Sequence, residues 1–487
     1  MVGEVAMTRT ENHASGTPID LFQIPVRRGW RFRLSIVVGV IVYAWILEYA
    51  YVEFIAPKFS YLRYYYVEPD RTLLWLGLSA HILTAWTLRP RWKRPSDVMA
   101  WLTLSFVVLP IGIVPFFSGA LSSTEALAWS LGSAGALFVM NFVWSIRTQS
   151  WIPVVQRGSS VLWVLIVGFS AVTYLSMAST TGLTIDVHSL LSVYDVRDDY
   201  KTSLATASPI IGYLVTNQGN VINPLLMSIG AIKRNVPMML AGIFGQVLIY
   251  SATGFKTIFL SIPVAIILGL ILNRRKQPRS TLFFHAVNVV AIASVLVDSI
   301  RDISVVQIFV NRLMITSGYL TAIYADFYST APKHVWSYSF LSGIASSPYD
   351  APPSIYLGQR YFGFEDLNVN ANLFADGFAN LGVAGIAIEA LILVAAVILL
   401  NITARGLPVS IIAGTLLLPV IALANGSPIT ALFSYGLLLS ALAFAVIPRE
   451  TFAKAPLEER GDESKNGAQG KHATESSGHV GSAATRS

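Results

Sequence analysis

Apolar residues in this chain do not alternate with polar ones, nor do they recur every third or fourth position between charged residues. They come in blocks of about twenty separated by polar and basic stretches. A bilayer core about 30 Å thick is crossed by roughly 20 residues of helix. Blocks of that kind fall near 34–52, 71–88, 98–117, 125–146, 159–178, 204–230, 236–253, 257–273, 281–299, 381–400, 409–425 and 431–447, which predicts twelve membrane spans. The first follows Arg27, Arg28, Arg31 and Arg33. It is too long for a signal-peptide core and no small-residue cleavage site follows it, so it reads as a retained helix. The expected organisation is a transmembrane domain over 26–450 between two polar tails, 1–25 and 451–487. The tails have little to bury and are expected to be disordered in the cytoplasm. No repeat at a solenoid period and no inverted repeat of the transporter kind stands out.

Composition narrows the class further. Of 487 residues, 54% are hydrophobic and 13% charged, about half the ~25% charge of soluble domains. The absence of cysteine removes disulfide scaffolds, thiolate catalysis, iron–sulfur clusters and Cys-ligated zinc. A sequence pI near 9.4 needs no nucleic-acid partner, because Lys and Arg in cytoplasmic loops produce the same excess.

The basic residues predict orientation. With the N-terminus inside, the inner segments hold Arg27, Arg28, Arg31, Arg33, Arg89, Arg91, Lys93, Arg94, Arg147, Arg157, Lys233, Arg234, Arg274, Arg275, Lys276, Arg279, Arg405, Arg449 and Lys454. The outer segments hold ten, Lys58, Arg63, Arg71, Arg197, Lys201, Lys256, Arg301, Arg312, Lys333 and Arg360, against those nineteen. Both termini are therefore expected in the cytoplasm of a multi-pass plasma (inner) membrane protein.

On that frame the outer connections are unequal. Ser118–Thr124, Gly254–Lys256 and Gly426–Thr430 are expected only to turn the chain. A medium loop covers 179–203, and an 81-residue segment covers 300–380. Long loops on a rigid scaffold are where function is usually placed. Within the large one, Ile303–Ile315 is apolar but interrupted by Gln307, Asn311 and Arg312, which predicts an interfacial or re-entrant helix. Continued helically it would set Arg312, Thr316, Tyr319, Ile323 and Asp326 on one face, unless Gly318 ends it. The bland alternative is a surface helix with Arg312 snorkelling to phosphate.

The rest of the loop is aromatic and acidic. Tyr324, Phe327, Tyr328, Trp336, Tyr338, Tyr356 and Tyr361 suit an interface belt, and equally a sugar site, where rings cover a pyranose face while Asp and Asn take hydroxyls. Asn217, Gln218, Asn220 and Asn223 fall within seven residues of the sixth span. Unpaired amides in lipid are costly, so they are expected to join helices or to face a cavity. Arg197, Lys256, Arg301 and Arg312 are the outer cations nearest this region, and the planar fork of Arg suits phosphate. There is no P-loop and no GxSxG elbow. His188 and His334 are the only histidines in the working loops, too few for a metal centre. Glu68 and Asp70 resemble the adjacent acids of lipid-sugar glycosyltransferases only weakly, because Pro69 separates them.

DVRDDY in the medium loop, NQGNVINPLLMSIGAIKR in the sixth span, the GFKT turn, NRLMITSGYLTAIYADFYS and NANLFADGFANLGVAGI together resemble the Wzy-type oligosaccharide repeat unit polymerases, also called O-antigen polymerases, over roughly 190–400. The last motif is the best, with Asn372, Asp376, Asn380, Gly382 and Gly385. The resemblance implies an all-α polytopic membrane protein of GT-C-like glycosyltransferase architecture, with about twelve spans and a large extracytoplasmic loop carrying short helices. It implies block transfer of a polyprenyl-diphosphate-linked glycan onto another lipid-linked repeat unit at the outer face, with no metal, nucleotide sugar or other cofactor. The implied partners are those lipid-linked oligosaccharides and membrane lipids, with a chain-length regulator and a flippase as further candidates. Arg197, Arg312 and Lys256, with Arg301 beside them, are the implied diphosphate ligands. Asp326, Asp376, His334 and Glu365 remain open as the general base. Tyr319, Tyr324, Tyr328 and Asn372 are candidate glycan contacts. Gly382 and Gly385 are expected to serve close helix packing. An O-antigen ligase shares this topology, and a lipid-linked glycan flippase or transporter is the alternative of another class; sparse intramembrane charge and one-sided elaboration favour chemistry over transport.

Overall fold

A computed structural model describes residues 29–146, 159–183, 185, 194–274, 278–301, 303–339, 341–365 and 367–449. Both predicted tails lie outside these residues, as do His188, Arg147, Arg157, Arg275 and Lys276. Residues to Ile447 form one unit, and the account below concerns it.

Helices follow the apolar blocks. They are α1 Trp30–Ile55, α2 Arg71–Thr87, α3 Pro95–Phe116, α4 Ser123–Ser145, α5 Ser159–Thr180, α6 Tyr194–Thr206, α7 over 209–233, α8 Val236–Thr253, α9 Lys256–Arg274 and α10 Ser280–Ile300. After these come α11 over 307–330, α12 Pro353–Arg360, α13 Leu373–Thr403, α14 Val409–Ala424 and α15 Pro428–Val446. Many start at a readable cap. Asp70 accepts from Thr72 and Leu73 N–H, Ser122 and Glu125 cap reciprocally, and Ser208, Asn235 and Ser427 each accept from a first-turn amide. Among the described residues there is no strand, only an isolated bridge between Arg91 and Arg279.

The twelve predicted segments fall on helices, and among the described residues eight helices are long and apolar enough to cross a membrane: those at 30–55, 95–116, 123–145, 160–180, 236–253, 280–300, 373–403 and 428–446. Lys256–Leu272 and Val409–Ala424 are apolar but shorter. The predicted span 204–230 is divided, because α6 stops at Thr206 and a new helix begins at the Ser208 cap with Pro209. The core lies around α3, whose whole apolar window is buried, and α14 packs beside it.

α11 departs from expectation. It runs through Gly318, and Thr316–Ala325 are buried without interruption, so it is not a helix lying on headgroups. Gly318 does not end the helix. A Cβ there would come within 2.2 Å of the Pro110 carbonyl oxygen, so glycine is what lets α11 cross α3 in contact. Of the five residues expected on one face, Arg312, Thr316 and Tyr319 meet a single side chain, Tyr64: Thr316 hydrogen-bonds it, the Tyr319 ring stacks on it at 3.9 Å and the charge of Arg312 acts on it. Arg312 and Asp326 are exposed while Thr316, Tyr319 and Ile323 are buried, and Gln307–Ile315 is wound as a π-helix.

The amides of α7 join helices. Gln218 donates to Ser170 Oγ (2.9 Å) and Asn223 Oδ1 (2.8 Å), Asn223 donates to Gln246 (3.2 Å), and Gln246 donates to the Gly219 carbonyl and Ser261. Asn217 ties α7 to the Phe433 carbonyl of α15 at 2.8 Å.

Candidate functional site

α13 is broken near its start. Leu381 and Gly382 leave helical geometry, Gly382 with φ 62° and ψ −142°, so a short helix over 373–380 folds against the long remainder. The break strands carbonyls at the end of the short helix. A strap from 331 to 339 takes them: His334 N–H donates to the Ala379 carbonyl and Val335 N–H to that of Asn380, both at 3.0 Å. Val335 and Trp336 are consecutive non-glycine residues at positive φ (53° and 51°), held there by the Asn380 side chain, which accepts from Trp336 N–H at 2.7 Å. Such strain survives where the surroundings over-determine it, and it concentrates at functional sites.

Asn372 caps the start of the short helix. Its Oδ1 accepts from Phe374 and Ala375 N–H, and its Nδ2 donates to Ser317 and to Thr321 Oγ1 of α11. Asn372 is therefore buried in a helix–helix tie. Four residues later, Asp376 is half-buried. Tyr338 OH donates to Oδ1 (3.1 Å), Asn380 Nδ2 donates to Oδ2 (3.2 Å), and Asn380 also reaches Tyr338 OH (3.0 Å).

Asp376 opens onto a cavity of about 240 Å³. Rings of Tyr324, Trp336, Tyr338 and Tyr435 line it, with Ser354, Asn370, Asn425, Ser427 and Thr430 as polar groups. Among the described residues of that wall, Asp376 is the only charged one. Aromatic faces with neutral hydroxyls and amides around one carboxyl suit an uncharged polyhydroxylated ligand. The Gly426–Thr430 connection thus does more than turn the chain: it forms part of the cavity wall.

His334 sits behind this wall. Its Nε2 pairs with the Tyr328 hydroxyl at 2.8 Å, its Nδ1 is buried without a partner, and the Tyr349 ring lies 4.4 Å from its own. Burial pulls its pKa down to about 4, so it is neutral at neutral pH. Burial also lowers Lys333, which lies over the Phe378 ring at 4.1 Å and donates to the Tyr328 carbonyl.

Two of the predicted cations, Arg197 and Arg312, act on Tyr435. Met177, Tyr200, Val215, Ile249 and Ile258 form a buried cluster that seats α6 on α8 and α9. This brings the Arg197 guanidinium to 5.7 Å from the Phe255 ring, one residue before Lys256. The charges of Arg312 and Arg197, which are 115 residues apart in the chain, both act on the Tyr435 hydroxyl. Tyr435 therefore links the cavity to the two arginines.

Other predicted residues stand apart from this arrangement. Asp326 is exposed, in the field of Glu125 and beside Tyr361. Glu365 is exposed in the turn after α12, and Arg301 is exposed at the C-terminal end of α10. Tyr319 is buried, stacked on Tyr64 at 3.9 Å and donating to the Leu62 carbonyl. Tyr324 lines the cavity although its hydroxyl is engaged by the Val369 carbonyl. Sequence reasoning names Tyr338 among the loop aromatics and Asn380 in the best motif without giving either a specific contact, and it misses Tyr435 and Glu389. The signal for Glu389 was present: a lone acid in an apolar helix marks function by default.

The fold and composition define the class: this is an all-α polytopic membrane protein. No known protein family, curated protein or solved structure matches the chain.

Proposed function

We propose that this protein is a membrane glycosyltransferase of the oligosaccharide repeat unit polymerase kind, joining polyprenyl-diphosphate-linked glycans at the outer face of the plasma membrane. The observation that carries this reading is the cavity with Asp376 at one wall and Tyr435 at another, the latter within the fields of Arg197 and Arg312. A glycosyl donor with a diphosphate leaving group needs both halves. Asp376 takes the proton of the acceptor hydroxyl as the new C–O bond forms. The anomeric C–O bond to phosphate breaks with its electron pair, and the charge arriving on the diphosphate is met by Arg197, Arg312 and Lys256. Rings and neutral polar groups between them suit a glycan chain. The basic bias of the inner loops supports cytoplasmic termini and an outward-facing cavity.

The test is surface glycan from a deletion strain carrying wild-type or variant protein. A single repeat on its anchor in the deletion strain, with polymer restored by wild type and not by Asp376→Asn, is the expected result. Unattached polymer would instead indicate a ligase, and repeats retained inside the cell a flippase; either outcome overturns the polymerase reading.

A further inference from the structure

Asp376 has a second acid behind it. Between 381 and 404, α13 contains one ionisable residue, Glu389. Its side chain is fully buried, and neither carboxyl oxygen completes a hydrogen bond of ordinary geometry. Asp376 and the Trp336 side chain stand against it, and Tyr338 is a neighbour of both acids. The break in α13 produces this meeting. The short helix folds back so that Gly377 touches Gly385, and Glu389 follows Gly385 by one helical turn.

Two carboxyl groups in contact and away from water do not both carry charge, because repulsion and lost hydration are too costly together. An acid in such a place is also a poor choice for packing, since leucine would fill the volume without that cost. We infer that Glu389 is a positioning residue that holds the proton of an Asp376–Glu389 pair, leaving Asp376 as the ionised member facing the cavity. This rests on the transferase reading above. Before reaction the pair carries one proton and one negative charge. The proton of the acceptor hydroxyl then passes to Asp376 as the O–C bond forms and the C–O(phosphate) bond breaks. The pair now holds two protons and no charge, and loses one through the cavity before the next cycle.

The other titratable groups facing the pair are few. Tyr324 and Tyr328 come from α11, and Lys333, His334 and Tyr338 from the strap. α15 contributes Tyr435 across the cavity, whereas Glu125 of α4 acts on Asp326 and Asp97 of α3 is paired with Arg89 and Arg94, so neither acid acts on the pair.

The experiment is infrared difference spectroscopy on the purified full-length chain in lipid nanodiscs, with no ligand added. Wild type is expected to show a protonated-carboxyl band at neutral pH that shifts in D2O and disappears in Glu389→Gln. In cells Glu389→Leu, which has no proton to lend, should move the acid limb of the polymerisation profile upward, while Glu389→Asp keeps the wild-type limb. A band that survives in Glu389→Gln, or an unmoved acid limb, overturns the inference. Full-length polymer from Asp376→Asn cells would instead remove Asp376 as the base and leave the band to decide the proton's place alone.

Discussion

Gly385 approaches Gly377 so closely that a methyl group on it would stand 1.9 Å from the Gly377 carbonyl oxygen. The obstacle is backbone, which does not swing away as a side chain can. Gly385→Ala is therefore expected to push the short helix off the long one. It should cost about 1–3 kcal/mol of stability, the usual range for overpacking, read as a lower melting temperature in detergent. Gly382→Ala acts differently, by forcing a side chain into a backbone region that only glycine occupies cheaply. The two losses should be less than additive when combined, because both undo the same fold-back.

Asp376 is the predicted proton acceptor. General-base groups contribute about 10²–10⁴ in rate, so Asp376→Asn should reduce polymer formation by at least roughly 100-fold while the protein still inserts and folds. Asp326→Asn and Glu365→Gln, outside the cavity, should leave polymer length unchanged. Complementation of a deletion strain with the three variants, scored by glycan gel, separates the candidates.

Arg312→Ala should leave folded protein that accumulates single lipid-linked repeats. Loss of one charge-stabilising donor costs about 2.7–4 kcal/mol in comparable sites, or 10²–10³ in rate. Arg312→Lys should rescue little, because a point charge does not reproduce the planar fork. Arg197→Ala should give the same phenotype in milder form, and the double variant should be no worse than the stronger single one if both hold one diphosphate. Wild-type polymer length in Arg312→Ala would remove that arginine from the mechanism.

His334 predicts an acid limit to stability. Its pKa is about 4 in the folded protein against the ordinary 6.5, so the unfolded chain binds the proton more tightly. The contribution is fully present above pH 6.5 and is lost as pH falls from 6.5 towards 4. Melting temperature should therefore fall over that window, and His334→Gln should flatten the fall. An identical pH dependence in wild type and variant would refute the assignment.

The apolar blocks determined the helices, because a segment without charges has no stable place except lipid or protein interior, and a helix satisfies its own backbone there. Asp70, Ser122, Ser208, Asn235, Asn372 and Ser427 marked helix starts for the local reason that a side-chain oxygen meets a free amide. The acid of the cavity and the arginines that act on Tyr435 were also legible as residue types in polar stretches. Their grouping was not. Arg197 and Arg312 both act on Tyr435 because an apolar cluster seats α6 on α8 and α9, and contacts between distant segments leave no local pattern. α11 looked like an interfacial helix because hydropathy counts Gln307, Asn311 and Arg312 without knowing which way a π-helix turns them. Gly426–Thr430 looked like a plain turn because five residues carry no sign of what they face. The pairing of Asp376 with Glu389, thirteen positions apart in a continuous apolar pattern, was decided by the break at Leu381 and Gly382. A straight helix would have placed the two acids nearly 20 Å apart at about 1.5 Å per residue. Only the fold-back, made possible by two glycines without side chains, sets them together.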